Sequence, residues 1–155
     1  MPKVEEDDEV VELSSALAFM QVMWELVHAL DARSKRMAQR LGVTGPQRLV
    51  LRIVGARPKI SAGAVAKTLR LHPSSLTGVL RRLEDRGMLV RKADPKDARR
   101  ALLSLARPGA TINGKRAGTV EAATSRAIAR LGEKELASAQ RVLETLIEEL
   151  ERDDA

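Results

Sequence analysis

The sequence predicts a mainly α-helical protein of the α+β class, in which a small β-hairpin follows a cluster of short helices. Apolar residues recur at three- and four-residue steps near both ends of the chain, which is the helical period. In the centre, glycine and proline separate short helical segments from two strand-like runs. A chain of 155 residues suits one compact domain, or one domain plus an assembly module. We expect helical segments over 10–43 and 108–152, and a separate central domain over 44–107.

The N-terminal segment is predicted to form one long helix from Val10 to Leu41, followed by a C-cap at Gly42. A second helix fits Gly45 to Val54, because Thr44 is a good N-cap and Pro46 lies in its first turn.

The central segment reads as two short helices and a hairpin. Ser61 can cap a helix that runs to Leu69, and Pro73 can begin another that runs to about Arg86. Two strands follow over 88–93 and 101–106, joined by a turn-rich, charged tip over 94–100. Helix, turn, helix and hairpin in this order form a winged helix-turn-helix.

The C-terminal segment is predicted to hold one helix from Pro108 or Asn113 to Leu131, broken at Gly132, and a last helix with leucine at heptad spacing. Such long amphipathic helices favour a subunit interface, although packing within one chain is the alternative. The leucines assigned to the dimer are Leu13, Leu17, Leu136, Leu143, Leu146 and Leu150.

Charge is unevenly distributed. Residues 44–116 hold 17 Lys and Arg against 4 Asp and Glu, while both flanking segments are net acidic. A basic centre between acidic ends indicates a surface for a polyanion, with a merely solvated surface as the alternative.

The segment from Pro73 to Arg86 has the composition of a recognition helix. Its leucines form one face, and small polar or basic residues occupy the opposite face, where they can reach base edges and phosphates. The residues predicted to bind DNA in and near the two short helices are Ser61, Ser74, Ser75, Thr77, Gly78, Arg81 and Arg82. Read alone, the two arginines could equally be solvated helix charges.

The hairpin tip adds basic side chains at Lys96, Arg99 and Arg100, which a narrow minor groove attracts. Asp94 and Asp97 are unexpected so close to phosphate. We expect them to pair with the basic residues and brace the tip, since two carboxylates without a nearby histidine make a weak metal site.

The run from Leu69 to Val90, LRLHPSSLTGVLRRLEDRGMLV, resembles the recognition segment of MarR-type regulators. The run DPKDAR from Asp94 resembles the D-x-R-D-x-R wing motif of that family, and TGPQ from Thr44 resembles its L-T-x-x-Q motif. The likeness covers roughly residues 43–109.

The resemblance implies a homodimer that binds a palindromic operator in double-stranded DNA, often released by a small-molecule effector. Three positions depart from the family pattern. Gly78 stands where many relatives have a base-reading arginine, His72 replaces a common aspartate, and Lys96 replaces an arginine, losing its planar fork.

In such relatives the effector lies between the dimerisation helices and the DNA-binding domain. Here Met20, Trp24 and His28 are candidates to line that crevice, with Arg48 or Arg52 as partner of an anionic aromatic ligand. Their ordinary interpretation is as core or surface residues.

Other functions are poorly supported. The two histidines lie in unrelated segments, and no nucleophile motif, phosphate-binding loop or metal-ligand spacing occurs, so we expect no enzyme, cofactor or metal. The absence of cysteine excludes thiol redox sensing. With no apolar run long enough for a membrane span, a cytoplasmic regulator is expected. The main alternative is an architectural or non-regulatory winged-helix DNA-binding protein.

Overall fold

A computed structural model describes residues 10–152, and residues 1–9 and 153–155 lie outside that description. Seven helices and a three-stranded sheet make up the described chain. In chain order they are α1 (Ser15–Leu41), α2 (Gly45–Ala56), β1 (Ile60–Ser61), α3 (Ala62–Leu69), α4 (Pro73–Asp85), β2 (Leu89–Asp94), β3 (Asp97–Leu105), α5 (Arg107–Gly114), α6 (Val120–Leu131) and α7 (Glu133–Glu151).

The end of α1 and the start of α2 lie where their capping residues predict. Gly42 adopts φ +74° and its N–H donates to the Ala38 carbonyl, which confirms the predicted C-cap of α1. Thr44 and Gln47 form a reciprocal capping box at the start of α2. The predicted start of α1 at Val10 is wrong, because the Ser14 hydroxyl accepts from the Leu17 N–H and caps the helix there.

The sheet is antiparallel in the order β1-β3-β2. Strand β1 was not expected from the sequence, since only Ile60 and Ser61 pair with β3. The strands β2 and β3 extend farther into the tip than predicted and pair Asp94 with Asp97 around a turn at Pro95 and Lys96. The expected seven-residue loop is therefore replaced by a tight turn with irregular pairing beside it.

The segment after the sheet forms two helices where one was predicted. Helix α5 ends at Gly114, and α6 does not begin until Val120. Gly118 between them adopts φ +79°, and the Thr119 hydroxyl then caps α6 by accepting from the Ala122 N–H. The extended backbone of Lys115 ends α5, and the Thr119 cap begins α6.

A single aliphatic core joins α2, α3, α4 and the sheet. Its central side chains are fully or almost fully buried and come from every one of those elements. They include Val50, Leu51, Val54, Val65, Leu76, Leu80, Leu83 and Leu103. Because the core lies on one side of α4, the other side of that helix is left facing solvent.

Candidate nucleic-acid interface

Helix α4 is seated by its leucines and presents a polar face. Leu76, Leu80 and Leu83 are at most 3% exposed. The residues predicted for DNA contact on this helix are all exposed, namely Ser74, Ser75, Thr77, Gly78, Arg81 and Arg82. The structure therefore brings these six together on the solvent side of one helix.

The start of α4 is capped by a histidine. The Nδ1 atom of His72 accepts from the Ser74 N–H at 3.3 Å and lies 2.7 Å from the Ser74 hydroxyl. The Thr77 hydroxyl donates to the Pro73 carbonyl at 2.9 Å. Histidine thus caps the helix at the position where the family commonly has aspartate.

Gly78 lies in the middle of α4 with open space around it. A Cβ atom added there would meet no atom of the protein within 4 Å, and its φ is not left-handed. Glycine in a helix interior costs roughly 0.5–1 kcal/mol relative to alanine. Among the described residues, nothing in the fold requires glycine at this position.

The charges at the end of this face are free to meet phosphate. Within residues 10–152, Arg81 and Arg82 form no ion pair. A groove between α3 and α4 is lined by Thr77 together with Lys67 and Arg91. Lys67 was not singled out from the sequence, because it lies on α3, outside both basic motifs.

The hairpin tip is braced by its own carboxylates. Asp94 Oδ1 accepts from the Lys96 N–H at 2.9 Å, and Asp97 Oδ1 accepts from the Arg99 N–H at 3.1 Å. The side chain of Arg99 is nevertheless 93% exposed, and its Nε lies 3.4 Å from Asp97. Lys96 and Arg100 are exposed as well. The acidic residues therefore shape the backbone of a tip that presents basic side chains.

An ion pair joins this hairpin to α4. Arg91 on β2 donates from Nε and Nη2 to Glu84 Oε1 on α4, at 3.0 and 2.7 Å. This contact ties the base of the wing to the recognition helix. Sequence reasoning missed it, although two opposite charges on either side of a helix-to-strand turn were a usable signal.

Ser61 has a structural role in this arrangement. It is half-buried, and its hydroxyl accepts from the Ala64 N–H at 3.2 Å as the N-cap of α3. The predicted cap is confirmed, and its hydroxyl oxygen is already used within the protein.

The residues expected to line an effector crevice are not brought together. Met20, Trp24 and His28 are exposed on the N-terminal half of α1. A cavity of about 590 Å³ lies farther along, and of the five predicted residues only Arg48 lines it. Arg52 instead donates to Asn113 Oδ1 at 3.2 Å.

Arg48 is buried and hydrogen-bonded to the segment that contains α5 and α6. Its side chain is 1% exposed, and its Nε and Nη2 each lie 2.7 Å from Glu121 Oε1 on α6. Its Nη1 and Nη2 also donate to the carbonyls of Ile112 and Lys115, at 2.5 and 2.6 Å. This guanidinium therefore joins α2 to the α5–α6 segment and directs four of its five N–H groups at these acceptors.

The pKa of Glu121 lies below its ordinary value of 4.5. Burial acts to raise that pKa, but the hydrogen bonds and positive charge of Arg48 outweigh it. Glu121 consequently stays ionised at neutral pH beside the cavity.

The leucines predicted for a dimer interface lie on α1, on the segment before it and on α7. In the single chain Leu17 is 51% exposed, Leu143 is 40% exposed and Leu150 is 74% exposed, while Leu136 and Leu146 are half-buried. Leu13 precedes α1 and is 40% exposed. An apolar surface of this extent is uncommon on an isolated soluble chain.

Comparison with known proteins identifies the class. The sequence profile of the MarR family matches residues 41–100, which span the recognition helix and most of the wing. An HTH-type transcriptional repressor of Mycobacterium tuberculosis is 31% identical over 106 residues, covering 68% of this chain and 76% of that protein. The organic hydroperoxide resistance transcriptional regulator of Bacillus subtilis is 27% identical over 105 residues, covering 68% and 70%.

Solved structures agree on the fold. The PcaV transcriptional regulator of Streptomyces coelicolor, determined with its natural ligand, superposes with a TM-score of 0.71 at 24% identity, covering 92% of this chain and 100% of that one. The MepR–DNA complex of S. aureus superposes with a TM-score of 0.69 at 17% identity, covering 89% and 99%.

The fold and its exposed basic face define a winged helix-turn-helix transcription regulator. More particularly, the chain belongs to the MarR family. As a member of that family it is a regulator and not an enzyme. None of the helices within residues 10–152 is long and apolar enough to cross a membrane, and that part of the chain brings no three potential metal-ligating side chains together.

Proposed function

We propose that the protein is a homodimeric repressor that binds a palindromic operator and is released by a small molecule. The observation that carries the proposal is the exposed face of α4, where Arg81 and Arg82 follow a small polar surface and a basic hairpin lies beside it. The chain is similar to a named transcriptional repressor over two thirds of its length.

The dimer sets the distance between the two recognition helices. Two recognition helices separated by one turn of duplex, roughly 34 Å, can enter successive major grooves while each wing reaches a flanking minor groove. The exposed leucines of α1 and α7 favour a second copy of the chain as their partner, because they continue a heptad pattern. With the chromosome as its partner, the protein acts in the cytoplasm.

A selection from random duplex DNA tests the whole proposal. Sequences bound by the purified protein are expected to converge on an inverted repeat that gives one sharp footprint at physiological salt. Uniform coating without preference would instead support an architectural protein. Light scattering of the same sample is expected to give the mass of two chains.

A charge placed in the apolar stripe tests the link between dimer and operator. Leu143→Asp is expected to give a monomer by light scattering and to abolish operator binding, because a carboxylate cannot be buried unpaired in an apolar interface. Thr145→Asp adds the same charge on the other side of α7. It is expected to leave the dimer mass and operator binding unchanged. A Leu143→Asp monomer that still binds the operator tightly would refute the role of spacing.

A further inference from the structure

The cavity that contains the Arg48–Glu121 pair lies between elements of different roles. It is lined by α1, by the first residues of α2 and by α6, away from the DNA-binding face of α4. Its volume of about 590 Å³ is in the range that holds a drug-sized molecule. Its apolar walls include Leu30, Pro46, Leu49 and Val120.

The charged groups of this cavity are mostly acidic. Two carboxylates line it, those of Asp31 and Glu121, and the one lining arginine, Arg48, already donates to Glu121 and to two carbonyls. About 33% of the Glu121 side chain remains exposed. Asp31 pairs with Lys35 at 2.7 Å, but both side chains are more than half exposed, and such surface pairs exchange readily with other cations.

Two of the three hydroxyl groups of the lining have already donated their proton within the protein. Thr124 gives its hydroxyl proton to the Val120 carbonyl at 3.1 Å, and Ser125 gives its proton to the Glu121 carbonyl at 2.8 Å. Ser34 Oγ accepts from the Gly45 N–H at 2.7 Å. A ligand therefore meets mainly hydrogen-bond acceptors and two carboxylates at the polar edge, with the Ser34 hydroxyl as a remaining donor, and aliphatic side chains elsewhere.

We propose that this cavity binds a lipophilic organic cation, an apolar body that carries one protonated amine, and that its binding weakens operator affinity. The amine would lie between Asp31 and Glu121, and the apolar body against the leucines. The proposal rests on the DNA-binding function proposed above and reverses the anionic ligand that the sequence favoured. An anion here would face two carboxylates and one buried arginine that is already paired with Glu121.

The position of the cavity explains how such a ligand acts on DNA binding. Glu121 on α6 holds Arg48 on α2, and α2 packs against α4. A cation beside Glu121 competes with Arg48 for that carboxylate and loosens the attachment of the DNA-binding domain to the flanking helices. Two recognition helices held less firmly no longer match both half-sites together.

Three probes of one shape separate charge from hydrophobicity. Naphthylmethylammonium, naphthylmethanol and naphthoate share an aromatic body and differ in the charge of one substituent. Calorimetric titration of the full chain without DNA is expected to rank the ammonium first, about tenfold tighter than the alcohol, with the carboxylate weakest. Naphthoate binding as tightly as the ammonium would overturn the proposal.

A matched pair of variants locates the site. Asp31→Asn is expected to remove most of the preference for the ammonium, because it deletes one lining carboxylate at an exposed position that the fold does not need. Glu25→Gln removes one negative charge from the same helix outside the cavity and is expected to keep the preference. Equal behaviour of the two variants would show that overall charge, and not this cavity, selects the ligand.

Operator affinity is measured separately on the same samples. The ammonium probe is expected to lower it and naphthoate to leave it unchanged. An operator complex that the bound ammonium does not weaken overturns the proposed regulation. If no duplex is bound even without a probe, the DNA-binding function fails instead, and the calorimetric ranking still decides the ligand class.

Discussion

Glu121→Gln removes the charged partner of a buried arginine, and the expected loss of stability follows from the contacts. Arg48 is 1% exposed and directs Nε and Nη2 at one oxygen of Glu121, both at 2.7 Å. Hydrogen bonds to charged groups contribute about 1.5–3 kcal/mol each, and breaking a buried pair costs about 3–5 kcal/mol. Glu121 is a third exposed, and glutamine still offers one carbonyl oxygen, so we expect a loss of about 2–3 kcal/mol.

Urea unfolding at pH 7, followed by circular dichroism at one fixed protein concentration, measures this loss. Glu25→Gln carries the same chemical change on an exposed position and is expected to stay within about 0.5 kcal/mol of the wild type. If Glu121→Gln lies in that same range, the buried pair does not hold α2 to α6 in the way described.

The pH dependence gives a second measurement. Since the pKa of Glu121 is below 4.5 in the folded protein, the folded state binds fewer protons than the unfolded state in that region. The pair therefore stabilises the fold fully above pH 4.5 and loses its contribution as the pH falls through the lowered pKa. The difference between wild type and Glu121→Gln is expected to shrink on acidification, and a difference independent of pH would contradict an ionic origin.

Three further substitutions test the DNA-binding face. Arg99→Ala is expected to weaken operator binding about tenfold or more while the dimer persists, since a minor-groove arginine contributes on the order of 1–3 kcal/mol. An anisotropy titration measures the affinity. Unchanged affinity would show that the wing is not part of the interface. Lys96→Ala should lower the slope of log affinity against log salt by about 0.9 for each half-site, and an unaltered slope would mean that Lys96 meets no phosphate. Gly78→Ala is expected to raise the melting temperature by about 2–4 °C through helix propensity and yet to weaken operator binding, because the added methyl group lies on the exposed face of α4 that we propose to enter the major groove. Gly114→Ala, also in open space, should leave operator affinity alone, and a Gly78→Ala protein with wild-type affinity would show that α4 does not approach closely at that point.

Much of the architecture can be predicted from local sequence patterns. The caps at Thr44, Ser61 and Gly42 form as their residue types predict, because each satisfies backbone groups within a few residues of itself. The leucines of α4 are buried as their spacing predicts. Errors occurred where one local signal competed with another, as at Ser14 against the apolar stripe, and at Gly118 within an otherwise helical run.

The wing shows which features local sequence patterns predict and which they do not. Its acidic residues were expected to brace the tip, and the bonds that they accept come mainly from backbone N–H groups. The irregular pairing beside Asp94 depends on how two strands meet, which a pattern within either strand does not specify.

The amino-acid order alone sufficed for helices α2 to α4, the hairpin, the basic centre and the likeness to MarR-type regulators, since all of these depend on neighbours in the chain. Tertiary packing determined which charged side chains are buried and paired. Arg48 looked like a free cation for an anionic ligand, but it meets Glu121 across 73 positions of sequence and becomes a buried structural group. Partners so distant in the chain are selected by the fold, so the chemistry of the cavity could be read only after the helices had been placed together.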